Sequence, residues 1–583
     1  MKKVAIVGVG PTGIYTFHSL VERGEPLEIV LYEQGEEAGV GMPYNDEHNS
    51  AQMLANIASI EIPPIYITYL TWLQNQSENW LSRYGIEREA LHERQFLPRV
   101  ILGDYYRDRF LALLEKARLA GFKVSVRESC EVTDLQAEQD GVNLWINHAP
   151  TAERADFAVI ATGHLWPQDD DSSREYYPSP WSGLMQAQIA PCRVGIMGTS
   201  LRGIDAAVAV VIQHGHFTTD ADESVHFRLN DASHKLHITL MSRNGILPEA
   251  DFYCPIPYEP LEIVTHQRLE TAIAEGSEGL LDRVFQLIVR ELELAAPHWC
   301  KQIGLRQLTA DTFSDAWFID RKRHDPFAWA QANLQEVERN KQQQHTVPWR
   351  YTILRLHEVI EMITPHLNER DRERFKTGLA RVFIDNYAAI PSESIRRLLA
   401  LREAGVISIL PLGADYQLEV QPQRTVIHHH NQRSEFDVFI DARGQKALKS
   451  KDIPFPTLRQ QLLACGDEIP DIGDDYTLQA PACARGRIAF GALPWLMHDR
   501  PFVQGLVASA EIGAAMARSV SQQASGRRRK LWFSHEEWCS ISMRITTNRV
   551  LSATTEKRPP SRHVTTTGYQ VAQRLRGTYE STI

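Results

Sequence analysis

The chain has 583 residues, too many for one hydrophobic core, so two or three domains are expected. Hydrophobic residues make up 43%, enough for a globular protein, and the net charge of −11 argues against a binder of nucleic-acid backbone. Seven scattered cysteines form no C-x-x-C pair, which argues against a disulfide scaffold or zinc ribbon and fits a reducing cytoplasm.

The N-terminus reads V-A-I-V-G-V-G-P-T-G from Val4 to Gly13. An apolar strand leads into Gly8, Gly10 and Gly13 at the spacing G-x-G-x-x-G, with Pro11 and Thr12 between the last two. A helical pattern follows from Ile14 to Val21, then a second apolar run, Leu27 to Tyr32, that ends in Glu33. Strand, glycine turn, helix, strand and acid in this order form the dinucleotide-binding pattern. Gly8 allows the sharp reversal, Gly10 lets a pyrophosphate reach the helix N-terminus, and Gly13 lets helix and strand pack closely. Glu33 lies 20 residues after Gly13, where a carboxylate accepts bonds from a ribose. The glycine at position 8 and the shortness of the apolar run argue against a signal peptide. No window approaches about 18 apolar residues, so no membrane span is expected.

Residues 34–110 form a long excursion, with a helical aromatic stretch expected near Tyr69 to Trp80. Leu102 to Leu119 has helical spacing, and Gly121 opens the strand K-V-S-V (123–126). Hairpin-like runs follow near Val132 to Leu135 and Val142 to Ile146, then a buried strand that ends A-T-G, with Thr162 and Gly163 at its exit.

A second Rossmann-like unit begins at Arg193. The strand R-V-G-I-M leads into the turn G-T-S-L-R-G, so that Gly198, Thr199, Ser200 and Gly203 read G-x-S-x-x-G. Ile204 to Ile212 is an apolar helix. A polar insertion (215–235) delays the next strand, H-I-T-L-M-S (237–242), which ends at Arg243 rather than at an acid. An arginine there pairs with a 2′-phosphate, favouring NADPH over NADH; the alternative is a surface residue at a strand end.

Residues 255–380 are helical and charged, with no nucleotide motif. The chain then repeats its earlier order: helix, Gly405, strand 406–410, two hairpin runs, and F-D-V-F-I-D-A-R-G, which places Asp441 and Gly444 where Thr162 and Gly163 stand. A strand around 486–491, ending in Gly491, and a small-residue helix from Val503 to Ala517 belong back against the first unit. The expected fold class is α/β, with two Rossmann-like dinucleotide-binding domains, a helical insertion and a disordered C-terminal tail. The expected domains are an FAD-binding domain (1–165 with 446–520), an NAD(P)-binding domain (190–445, its insert at about 255–380), and a tail from 521 to 583. The basic run 527–530 reads as a solvated stretch.

Two dinucleotide sites in one chain commonly hold a resident FAD and admit NAD(P)H. The first site suits FAD and the second NADPH, with NADH possible in its place. With no paired cysteines, a disulfide reductase is disfavoured. An FAD-dependent dehydrogenase that makes no use of NAD(P)H, and a non-catalytic flavin or nucleotide sensor, are the alternatives.

The motifs G-V-G-P-T-G-I-Y (8–15), G-V-G-M-P-Y with M-L-A-N-I-A (39–58), R-Q-F-L-P-R (94–99), V-I-A-T-G-H (159–164), G-I-M-G-T-S-L-R-G-I-D (195–205), R-V-F-I-D-N-Y-A-A-I-P (381–391) and F-G-A-L-P-W (490–495) resemble the YdhS-like family of bacterial FAD/NAD(P)-binding proteins. The resemblance covers residues 1 to about 520. That family is broadly similar to flavin monooxygenases and amino-acid N-hydroxylases, which pair FAD with NADPH. It implies a flavin oxidoreductase with a small-molecule substrate, and it places Gly41, Tyr44 and Asn56 near the flavin. One departure is that Ala492, not an acid, follows Gly491, so the ribityl contact made by a Gly-Asp pair in many FAD enzymes must come from elsewhere or be a backbone one.

Other residues carry two readings each. Tyr44 and Asn56 touch the isoalloxazine or cap a loop. Arg94 and Arg99 neutralise a phosphate or a substrate carboxylate, or form surface ion pairs. His164 faces the cofactor or is structural. Cys254 is a core thiol or a redox thiol. His428, His429 and His430 are neighbours on a strand and point to alternate faces, so no metal site is expected. By the resemblance, Asp385 and Asn386 line the inter-domain cleft.

Overall fold

The structure is a computed structural model that describes residues 1–166, 175–221 and 224–525. Its strands, in chain order, are β1 (Lys3–Val7), β2 (Glu28–Tyr32), β3 (Lys123–Arg127), β4 (Val132–Glu138), β5 (Gly141–Ile146), β6 (Glu153–Ala155), β7 (Phe157–Ile160), β8 (Tyr176–Tyr177), β9 (Arg193–Met197), β10 (Gly215–Thr219), β11 (Val225–Leu229), β12 (His237–Ser242), β13 (Ile407–Pro411), β14 (Tyr416–Gln421), β15 (Arg424–His429), β16 (Gln432–Phe436), β17 (Val438–Asp441) and β18 (Ile488–Phe490).

The first sheet is wholly parallel in the order β18-β7-β1-β2-β3. Successive side chains of a strand point to opposite faces, and here each face has its own cover. Val4, Ile6, Ile29 and Leu31 pack under the helices Pro11–Glu22, Arg99–Leu119 and Gly505–Ala524. Ala5, Val7, Val30 and Tyr32 pack under the antiparallel meander β4-β5-β6 and the helix Pro456–Ala464. With both faces covered, the central strands are continuously apolar rather than alternating.

The second sheet repeats the plan in the order β13-β12-β9-β17-β8. Val194, Ile196, Ile238 and Leu240 face the helices Leu201–Val211 and Ser392–Glu403. Met197, Met241 and Phe439 face the meander β14-β15-β16. The polar insertion before β12 is an antiparallel hairpin, β10-β11.

The last segment returns to the first sheet. β18 adds beside β7, and the helix Gly505–Ala524 crosses the helix Pro11–Glu22 at Gly513. A Cβ on Gly513 would lie 2.7 Å from the Thr16 nitrogen, which explains why this helix is rich in small residues. It ends at Ala524, beyond the composition change near 520; the rest of the expected tail lies outside the described residues.

Between the repeats, the helices from His266 to Arg323 and from Pro348 to Tyr387 share a core of their own, while the helix Pro326–Gln342 packs Phe327, Ala330, Leu334 and Val337 into the core of the second sheet. Leu281, Val284, Phe285, Ile288 and Leu292 form one stripe of the helix Leu280–Ala295, at the spacing an amphipathic helix requires. Phe502, from the last segment of the chain, plugs into this core against Phe375, Phe383 and Tyr387. The aromatic stretch near Tyr69 is two short helices, Tyr69–Gln74 and Glu78–Ser82. Ser77 breaks it: its hydroxyl accepts from the Trp80 N–H at 3.2 Å and starts the second helix.

Candidate functional site

The first turn folds as its glycines demand. Gly8 has φ +93°, and a Cβ there would lie 2.6 Å from the Ala161 carbonyl oxygen at the exit of β7. A Cβ on Gly13 would lie 2.1 Å from the Gly8 oxygen. Gly10 caps the helix Pro11–Glu22, and its missing side chain opens toward Gly41, whose Cα is 3.4 Å from the position a Cβ would take. Gly41 itself has φ +84°. The first turn of the helix, with Pro11 and the buried Thr12, carries N–H groups that no carbonyl inside the helix can meet, and the positive end of the helix dipole adds to them. Glu33 reaches this turn: its carboxylate accepts from the Val9 N–H at 3.0 Å and the Gly35 N–H at 2.9 Å. A pocket lined by Gln34, Ser129, Glu131 and Asn147 adjoins it. The glycine cradle and the acid fit a dinucleotide diphosphate and ribose.

The second turn repeats the first. A Cβ on Gly203 would lie 2.3 Å from the Gly198 oxygen, and one on Gly198, at φ +146°, 3.1 Å from the Ala442 oxygen at the exit of β17. Ser200 caps the helix Leu201–Val211 with φ −101° and ψ −171°, close to Gly10 at −81° and −170°. Both are extended, so a serine fits without strain. The register sharpens the end of β12. Val7 pairs with Tyr32, and Met197 pairs with Met241. The counterpart of Glu33 is therefore Ser242, and Arg243 stands one residue further on. Thr199 reaches Ser242, hydroxyl to hydroxyl at 3.1 Å, much as the first turn reaches Glu33. Arg243 is exposed and lies near Arg381, a second positive charge.

Tyr44 belongs to a tyrosine group: its ring is 5.9 Å from Tyr106, which meets the Tyr15 hydroxyl at 3.0 Å. Burial pushes the Tyr44 phenol up to about 12. Asn56 is exposed, as is Thr162, and Gly163 has φ +68° at the exit of β7. Asp441 is held by Arg443, whose Nε donates to it at 2.8 Å. Gly491 lies against Met516 and Ile512 of the last helix, where a Cβ would come within 2.7 Å of Met516. The exits of the two sheets meet: the Leu165 N–H donates to the Gln445 side chain at 3.2 Å.

Residues 5–165 match the family profile described as FAD-NAD(P)-binding, and residues 265–387 match that described as YdhS-like middle domain. YdhS of Escherichia coli (strain K12) is 64% identical over 533 residues, which span 91% of this chain and all of that protein. The chain belongs to the YdhS family. Among solved structures, the ornithine hydroxylase PvdA from Pseudomonas aeruginosa superposes with a TM-score of 0.48 at 12% identity, covering 90% of this chain and 99% of its own. The ornithine N-hydroxylase KtzI from Kutzneria sp. 744 gives 0.47 at 12% identity (89% and 99%), and the L-lysine 6-monooxygenase from Pseudomonas syringae gives 0.47 at 12% (90% and 99%). No residue role is carried across at that distance.

In this YdhS-family chain the remaining candidates divide. Arg99 is buried and pairs at 2.7 Å with the buried Asp205 of the second dinucleotide helix, so it joins the two halves. Arg94 lies over the Tyr253 ring at 4.7 Å. Cys254 is buried, and the loss of hydration pushes its thiol up to about 12, which removes the thiolate needed for redox exchange. Asp385 accepts from Trp317 Nε1 at 2.7 Å and from Arg321, and Asn386 donates to the Arg350 carbonyl at 3.3 Å; both are committed inside the middle region. His429 is bonded to Ser434 at 3.0 Å while His428 is exposed.

Two features of this YdhS-family chain have no signal in the sequence. Glu61, Glu358, Glu361 and Glu511, from three distant segments, interact with one another, and lost hydration with neighbouring carboxylates pushes Glu358 and Glu511 up to about 7. Both side chains nonetheless keep contact with solvent. The second feature is Arg202, whose guanidinium lies 4.8 Å over the Trp166 ring.

Proposed function

We propose that the chain is an FAD-dependent oxidoreductase in which NADPH reduces the flavin, most like a flavin monooxygenase acting on a small molecule. One observation carries this reading: two turns of matching geometry, Gly8 to Gly13 and Gly198 to Gly203, lie in one chain whose sheet exits meet at Leu165 and Gln445. On this reading residues 1–165 and 446–520 form the FAD domain, and 190–445, with the helical region as its insert, form the NADPH domain.

When bound, the flavin supplies the hydride acceptor and the nicotinamide the donor. The protein's own part is binding and orientation. The first turn of the helix Pro11–Glu22 receives the FAD diphosphate, and Glu33 exchanges its two backbone partners for the adenosine ribose. Gly41 and Tyr44 bound the flavin end of that site. Leu201, Arg202 and Gly203 offer the corresponding N–H groups to NADPH, and Arg243 offers a cation to its 2′-phosphate. The absence of a carboxylate at Ser242 removes the repulsion that would favour NADH.

Anaerobic mixing of the purified protein with NADPH and, in parallel, NADH tests this. Loss of the visible flavin absorbance, faster with NADPH, is the expected result. A flavin that stays oxidised with both nucleotides overturns the reading.

A further inference from the structure

The buried junction between the two halves holds more positive than negative charge. Arg99 and Arg202 both reach it, and Asp205, on the same helix as Arg202, is bonded at 2.7 Å to Arg99. Burial pushes the Asp205 carboxyl up, with Arg99 and Arg202 opposing. Among the described residues no hydrogen bond or ion pair reaches the Arg202 guanidinium. Burial, and then Arg99, lower it to about 10, so it remains protonated at neutral pH. Asp205 acts on it only at a distance, and a largely desolvated guanidinium with no hydrogen-bonded anion is costly.

Two further polar groups converge beside it. Trp166 Nε1 and His164 Nδ1 are both fully buried atoms and have no hydrogen-bond partner among the described residues. The two rings are 5.4 Å apart, and the Arg202 guanidinium rests on the Trp166 face at 4.8 Å. The loss of hydration, with Arg202 adding repulsion, pushes His164 down to about 4, so at neutral pH it is a neutral imidazole. Gly444 closes the other side: a Cβ there would lie 3.1 Å from Arg202 Nη1, so the glycine keeps this space open. An unmet indole donor, an unmet guanidinium and a neutral imidazole in one place call for a ligand rich in acceptor oxygens and negatively charged.

We propose that Arg202, with Trp166 and His164, forms an oxyanion-binding site between the exits of the two sheets, taking a phosphate or a carboxylate. The site lies at the first turn of the second dinucleotide helix, so the diphosphate of a nicotinamide dinucleotide is one source and the carboxylate of a substrate is the other. Only the dinucleotide source rests on the proposed function. The orphaned donors stand apart from it.

Calorimetric titration of the flavin-loaded full chain with inorganic pyrophosphate, NADP⁺ and succinate tests the site, using wild type, R202Q, R202K and W166F matched for flavin content. R202Q is expected to weaken at least one of the three probes by about tenfold or more, with R202K recovering part of the loss and W166F losing less. Loss for pyrophosphate and NADP⁺ together identifies the dinucleotide source; loss for succinate alone identifies the substrate carboxylate. If all three probes bind R202Q as they bind wild type, or none binds wild type, the site is overturned. Arg202-dependent pyrophosphate binding in a chain that NADPH does not reduce would leave the site standing and remove the functional reading.

Discussion

Ser242 occupies in the second sheet the position that Glu33 occupies in the first, as the pairings Met197 with Met241 and Val7 with Tyr32 require. A hydroxyl replaces a carboxylate at a matched point of two matched turns, and the exposed Arg243 follows it. The two sites thus differ in charge where the adenosine riboses would lie. Replacing Arg243 with Gln should raise the KM for NADPH by roughly tenfold or more, the worth of a charged hydrogen bond, and leave NADH nearly unchanged. Steady-state kinetics with both nucleotides measures this, and an equal effect on both would remove Arg243 from the site.

The turns should fail separately. Gly13→Ala places a methyl 2.1 Å from the Gly8 oxygen, and the chain should purify without flavin and lose at least about 1 to 3 kcal/mol of stability from overpacking. Gly203→Ala meets the Gly198 oxygen at 2.3 Å and should retain flavin while losing reduction by NADPH. Flavin-to-protein ratios, read with anaerobic reduction, distinguish the two.

Arg99→Ala strands the Asp205 carboxylate in the junction between the halves. Removal of one partner of a buried pair costs about 3 to 5 kcal/mol. Urea unfolding should show that loss, and the double variant Arg99→Met with Asp205→Leu should recover most of it. A loss below about 1 kcal/mol in the single variant would mean that water reaches the pair.

The carboxyls of Glu358 and Glu511 are raised from 4.5 to about 7 by lost hydration first and by neighbouring carboxylates second. The folded chain therefore holds protons there that the unfolded chain has released. Stability should be fullest below about pH 4.5 as far as these groups act, fall as the pH rises toward 7, and be flat above it. In Glu511→Gln the decline across that window should be shallower, and the variant should be the more stable near neutrality. Thermal unfolding from pH 5 to 8 shows either this or parallel curves for variant and wild type, which would place both carboxyls in open solvent.

Much of the fold was legible because its signals are local. The apolar runs of β1, β7, β9 and β17, the glycine turns, and the repeat of strand, meander and strand after Gly121 and Gly405 each lie within a few tens of residues. The two turns were legible in the same measure: Gly8, Gly10, Gly13, Gly198 and Gly203 declare themselves by spacing. The sequence set Arg243, one residue beyond the true counterpart, against Glu33, because the hairpin β10-β11 intervenes and only strand pairing aligns Ser242 with Glu33. The stretch near Tyr69 to Trp80 was legible as helical but its break at Ser77 was not, because a lone serine cap is a weak signal.

The sequence by itself determined that two dinucleotide folds of one topology would form, since a glycine turn between an apolar strand and an apolar helix is a local steric requirement. The tertiary structure decided which charges meet. Arg99 with Asp205, Glu358 with Glu511, and Arg202 with Trp166 join residues from 36 to 153 positions apart, or about a hundred for the first pair. No periodicity records such meetings, because a charged side chain takes its partner from packing in space rather than from its neighbours in the chain. The glycine turns declare the dinucleotide fold; packing alone decides which buried charges meet between the two sheets.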